Sequence, residues 1–187
     1  MTSADTLRLV IEALDAAGIG HMLAGSFASS LHGMARTTAD IDLVIDPTAD
    51  SLDDFVGRLN TARFYVDPAR ARAAVADRNQ FNVVDVTNGW KVDLIVRKDR
   101  PFSAAEFVRR APAVVLGVET SVATAEDTVL AKLEWAQLGG SDRQVRDVIE
   151  ILRIQGSTLD GAYLDRWAED LGLSDRLAEA RRAAATD

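Results

Sequence analysis

Two aspartates stand one residue apart inside an apolar run, Asp40-Ile41-Asp42-Leu43-Val44-Ile45, closed by Asp46-Pro47. Aliphatic residues in a short run bounded by turn residues predict a buried strand over 41–45. Side chains two apart on a strand share a face, so Asp40 and Asp42 aim together while Ile41 and Leu43 point to the core. Carboxylates in such a place are costly unless paired, and each raises the other's pKa unless a cation intervenes. The partner that also does chemistry is a hard divalent cation, Mg²⁺ or Mn²⁺, which keeps substrate phosphates among its ligands.

Other segments supply the rest of such a site. The short apolar run His21–Ala24 breaks at Gly25-Ser26, and Phe27–His32 predicts a short helix ended by Gly33. A glycine at a strand-to-helix turn lets backbone N–H groups approach an anion, and the helix N-terminus favours negative charge. Ser26 adds a hydroxyl donor; Arg36, Thr37 and Thr38 offer further phosphate contacts. Downstream, Lys91-Val92-Asp93-Leu94-Ile95-Val96 provides a third carboxylate, Asp93, with Asp85 on the preceding strand as its competitor. Lys132 lies beside the apolar stripe Val129, Leu133 and Ala136 and could hold a triphosphate as a point charge. Asp147 follows Arg143 by four positions, the spacing of a helical ion pair. His32 reads as packing beside Gly33, and Trp90, Trp135 and Trp167 as core or interdomain packing.

Helical spacing predicts a helix over 5–18, with Ser3 or Asp5 as its cap, and another over 51–60. A short strand follows at 64–66 and a short helix at 68–77. Gln80–Thr87 and Trp90–Arg97 form a hairpin around Asn88-Gly89, the strongest short turn signal. A helix at 104–109 and a strand pair at 114–116 and 120–123 follow. Beyond Thr124 only helices are expected, at 125–138, 142–155, 160–171 and 175–184. The chain therefore reads as an α/β (α+β) part, residues 1–123, with a mixed, mainly antiparallel sheet and flanking helices, followed by a C-terminal helical region, residues 124–187.

With 187 residues and nearly half of them apolar, the chain can bury a real core. It has no cysteine, which excludes disulfides and thiolate metal sites. Its net charge of −8 argues against coating nucleic acid by bulk electrostatics. Arginine makes up 18 of its 21 basic residues, so a local basic groove stays open. No signal peptide or run of membrane-spanning length is visible, and the expected location is cytoplasmic, with no membrane partner.

Gly25-Ser26, then Asp40-x-Asp42, then Asp93 on a later strand resembles the nucleotidyltransferase superfamily related to DNA polymerase β. The spacer with His32-Gly33 and Arg36-Thr37, and the later Glu126-Asp127, Lys132 and Arg143-x-x-x-Asp147, is similar to its branch of AbiEii-type toxins and uncharacterised bacterial relatives. The resemblance covers roughly residues 20–155. It implies a metal-dependent enzyme that transfers a nucleoside monophosphate from an NTP to an acceptor hydroxyl and releases pyrophosphate. Asp40, Asp42 and Asp93 would be its metal ligands and catalytic acids, with Lys132 counted among the catalytic residues. Gly25, Ser26, Arg36, Thr38 and Asp147 would bind the nucleotide. The branch implies an RNA acceptor, especially a tRNA 3′ end, in a toxin–antitoxin pair with a cognate antitoxin protein. Two alternatives stay open: a small-molecule acceptor of the antibiotic type or a protein hydroxyl, and a nucleotide-binding or partner-binding module without turnover.

Overall fold

The computed structural model describes residues 2–34, 38 and 40–186. The chain divides into two compact units, Met1–Ser26 with Thr38–Val122, and Phe27–Thr37 with Ala123–Asp187.

The first unit is built on a seven-stranded sheet of β1 (Gly20–Leu23), β2 (Asp40–Asp46), β3 (Phe64–Tyr65), β4 (Gln80–Asp85), β5 (Lys91–Val96), β6 (Ala111–Val115) and β7 (Val118–Val122). Their order is β3-β4-β5-β2-β1-β7-β6. β2–β5 and β1–β7 are parallel, and the other four pairs are antiparallel, as the mixed pattern predicts. The Asn88-Gly89 turn closes the β4–β5 hairpin, with Gly89 at φ +77° and the Asp85 N–H donating to Trp90 O at 2.8 Å. Leu116 and Gly117, at φ +53° and +75°, make the β6–β7 turn. Two positive φ values in succession match the twist of a tight hairpin.

Strand alternation divides the sheet into two unlike faces. Ile41, Leu43, Ile45, Val92, Leu94, Val96, Phe81 and Val83 point one way and are buried. Helix α1 (Ser3–Ala16) lies on that face, where its Thr6 hydroxyl reaches Asp85 on β4. Its cap is Thr2, in a capping box with Asp5, rather than Ser3 or Asp5. Helix α2 (Gly25–His32) begins two residues earlier than its apolar spacing suggests, so Gly25 and Ser26 form its first turn. From Phe27 onward α2 belongs to the second unit; helices α3 (Ala49–Arg58), α4 (Pro68–Ala76) and α5 (Pro101–Arg109) belong to the first and bury Leu52, Phe55, Ala71, Ala74 and Phe102.

In the second unit, α6 (Ala125–Gly139), α7 (Asp142–Gln155), α8 (Gly161–Asp170) and α9 (Ser174–Ala185) pack on Val129, Leu130, Leu133, Val148, Ile151, Leu164, Trp167 and Leu177. Trp135 departs from the packing expectation: it is 51% exposed, because Val129, Leu133 and Ala136 take the inward side of α6. The His32 Nε2 lies 2.7 Å from Ala123 O, a structural contact. Among the described residues no helix is long and apolar enough to cross a membrane.

Candidate functional site

The other face of the sheet carries the acids. Asp40 and Asp42 alternate with buried Ile41 and Leu43 on β2 and are themselves half-buried. The parallel register of β2 and β5 sets Asp42 beside Asp93 and Asp40 beside Lys91. Asn82 on β4 pairs with Asp93 from the other side. Neighbours in register share a face, so Asp40, Asp42, Lys91, Asp93 and Asn82 form one polar patch on a sheet whose opposite face is core.

Gly25 is fitted against this patch. The Ala24 N–H donates to Asp42 O at 2.9 Å, extending the β1–β2 ladder to the turn. Gly25 then takes φ +55°, and a Cβ there would lie 2.0 Å from Asp42 Oδ2. Only glycine meets both demands, the left-handed backbone and the closeness of the carboxylate. The Ser26 N–H points at Asp42 Oδ2 from 3.4 Å, so the Gly25-Ser26 turn faces the acidic strand. The Thr38 hydroxyl donates to Asp40 O at 3.1 Å and so braces the start of β2. Arg36 and Thr37 lie outside the described residues.

Lys91 is the residue that sequence reasoning passes over. Its ammonium lies 3.0 Å from Asp93 Oδ2, with side-chain exposures of 38% and 15%. Its hydrogen bond to Asp93 holds the ammonium above the usual lysine range against burial, and the charges of Asp93, Asp40 and Asp42 add to the effect. One protein cation thus feels all three carboxylates. The signal for it is the spacing in Lys91-Val-Asp93, which places both side chains on one face.

No family model matches the sequence, and no curated protein matches it significantly. Solved structures do match. An antigenic nucleotidyltransferase-like protein from Paracoccidioides brasiliensis superposes at a TM-score of 0.56 and 18% identity, over 96% of this chain and 92% of that one. ANT(2″)-Ia, in complex with adenylyl-2″-tobramycin, superposes at 0.59 and 11% identity, over 92% of this chain and 98% of that one. The chain has the nucleotidyltransferase fold.

In a nucleotidyltransferase fold a divalent cation is implied, and the acids suit it in kind. Asp40, Asp42 and Asp93 are hard oxygen donors on one face, and Gly25 leaves the Asp42 carboxylate the space that a Cβ would fill. They are not drawn together in advance: among the described residues no three acidic or imidazole side chains are gathered closely enough to hold an ion. Asp93 turns to Lys91, and Asp42 to the Ser26 N–H.

Asp85, the competitor of Asp93, has a different task. It lies on the core face in phase with Phe81 and Val83 and is fully buried. It accepts from Arg63 Nη2 at 2.7 Å, Arg63 Nε at 2.9 Å, the Thr6 hydroxyl at 2.7 Å and the Thr87 hydroxyl at 2.6 Å. Burial opposes the charge, yet the Arg63 guanidinium and the Thr87 and Thr6 hydroxyls outweigh it and hold the carboxyl at about 2. It anchors the hairpin to α1 and leaves Asp93 as the acid on the open face.

In the second unit, Lys132 is 4% exposed and donates to Asp147 Oδ2 and Gln144 Oε1, both at 2.8 Å. Ser29 Oγ donates to the same Asp147 oxygen at 3.3 Å. The ammonium that meets Asp147 is therefore that of Lys132, on the neighbouring helix.

Proposed function

We propose that this protein transfers a nucleoside monophosphate from an NTP to an acceptor hydroxyl, releasing pyrophosphate. The observation that carries the reading is the one-faced set Asp40, Asp42 and Asp93 beside the Gly25-Ser26 turn, in a nucleotidyltransferase fold. Asp40 and Asp42 would hold Mg²⁺ or Mn²⁺, with Asp93 as the third ligand. The bound cation would supply positive charge against the charge that develops on the transferring phosphoryl group.

The chain's own residues do the rest. The backbone of Gly25 and Ser26 offers N–H groups to a phosphate, and the α2 N-terminus favours its charge. Asp93, once parted from Lys91, accepts the proton of the attacking hydroxyl. Thr38 keeps the start of β2 in place. Arg36 is proposed as a phosphate contact on its sequence position alone. Lys132 and Asp147 are proposed as a nucleotide-contacting pair on the resemblance, and their mutual ion pair is equally what a structural role requires.

For the acceptor, a small-molecule hydroxyl is the better supported reading. The fold matches that of ANT(2″)-Ia, whose structure contains an adenylylated tobramycin. The net charge is −8, and many arginines of the first unit already meet carboxylates: Arg58 with Asp54, Arg70 with Asp67, Arg72 with Asp53, and Arg78 and Arg97 with Asp46. Such pairing leaves little net charge to attract a polyanion. The second reading, RNA or a tRNA 3′ end as acceptor within a toxin–antitoxin pair, rests on the resemblance of Gly25-Ser26, Asp40-x-Asp42 and Lys132 to AbiEii-type toxins.

Incubation with each α-labelled NTP and separate pools of RNA, protein and hydroxyl-bearing small molecules decides between them. Label in the small-molecule pool supports the first reading, and label in RNA replaces it with the second. Nucleotide binding with no transfer to any pool would make this a binding module.

A further inference from the structure

We infer that Lys91 is a built-in counter-ion that keeps Asp93 from the metal site until a divalent cation displaces its ammonium. The inference rests on the proposed metal-binding role of Asp40, Asp42 and Asp93.

Asp40, Asp42 and Asp93 put three carboxylates on one sheet face, Asp42 and Asp93 in direct register, and like charges on neighbouring strands destabilise the fold unless compensated. Lys91 compensates them. It sits in register with Asp40 and two residues from Asp93, so the strand geometry fixes its stem on the same face as all three acids. Its ammonium bonds Asp93 at 3.0 Å, and Asp93 is the less exposed partner, at 15% against 38%. The carboxylate is thus the deeper partner and the lysine the more solvent-exposed one.

A divalent ion entering this patch meets a fixed positive charge and must also take Asp93 from its partner. Both effects weaken binding of the bare ion. A nucleotide that brings its own ion adds phosphate contacts at Gly25-Ser26 and overcomes the barrier that the bare ion faces. The consequence is a site that discriminates a metal–nucleotide complex from free metal.

The test is Mn²⁺ binding to the full chain without nucleotide, read by electron paramagnetic resonance. Lys91→Met should tighten binding by about tenfold, the scale of water-screened repulsion between a unit charge and a divalent ion ~5 Å away. Lys91→Arg, which keeps the charge, should bind as the parent does. Binding that is lost in Asp42→Asn but unmoved in Lys91→Met overturns the role of Lys91 alone. Binding indifferent to both substitutions overturns the site reading along with it.

A measurement on the unsubstituted protein guards against a variant that misfolds. The chain has three lysines, so ¹³Cε-lysine labelling gives three signals, and the one absent in Lys91→Arg belongs to Lys91. It should shift along a Mg²⁺ titration while Lys98 stays still. A Lys91 signal that ignores saturating Mg²⁺ contradicts displacement.

Discussion

Replacing Gly25 with alanine sets a Cβ atom 2.0 Å from Asp42 Oδ2 and 2.5 Å from its Cγ. Gly18 has nearly the same backbone, φ +67° against +55°, and a Cβ added there meets nothing within 4 Å, so Gly18→Ala measures backbone strain without the collision. That strain is about 1–2 kcal/mol for a non-glycine residue in the left-handed region, and both variants should lose it in urea unfolding. Gly25→Ala must in addition move the Asp42 carboxylate by at least about 1 Å to relieve the collision. A misplacement of that size in a reacting site costs about 100-fold, or about 2.7 kcal/mol of binding or transition-state energy. Calorimetric titration with a Mn²⁺–nucleotide complex and unfolding of the same two proteins separate the two effects. Equal nucleotide affinity in Gly18→Ala, Gly25→Ala and the parent would mean that Asp42 and the Gly25 turn do not form one site.

Asp85 predicts a pH dependence of a definite sign. Its folded pKa is depressed from 3.8 to about 2, so its contribution is present above 3.8 and is lost as pH falls toward 2. The shift corresponds to about 2 kcal/mol. Asp85→Asn should be less stable than the parent at pH 7, and the gap between them should close on acid titration followed by urea unfolding. Lys132→Met takes the buried ammonium away from the half-buried Asp147 carboxylate and should cost about 3 kcal/mol. The double variant Lys132→Met with Asp147→Leu should recover most of that loss in the same unfolding assay, as expected when a buried pair is replaced by apolar groups.

Much of the site is legible in the sequence because strands write their faces into it. Asp40-x-Asp42 within aliphatic residues determines which side chains share a face, and Asn88-Gly89 determines the hairpin that carries Asp93. The competition between Asp85 and Asp93 is legible too. Phe81, Val83 and Asp85 form one alternating set, while Asp93 alternates with Val92 and Leu94. Which set meets the core depends on what covers each face, and the partner that marks it, Thr6, lies 79 residues from Asp85. Lys132 shows the limit more sharply. Its burial is decided by Asp147 and Gln144 on the next helix, and no periodicity within α6 reports a partner there. The start of α2 is hidden because Gly25 and Ser26 lack the apolar residues by which a helix is recognised, although their backbone turns with it.

If Asp40 and Asp42 support nucleotidyl transfer, pyrophosphate release must depend on both. Release from α-labelled NTP is followed with Mg²⁺ and whichever acceptor pool takes up label, comparing the parent with Asp40→Asn and Asp42→Asn at equal folded fraction. In the parent, release should run in step with labelling. Each variant should lose at least about 100-fold, the scale of removing an electrostatic stabiliser from a transition state. Undiminished release in Asp42→Asn would contradict the assignment of the acidic strand as the reacting site.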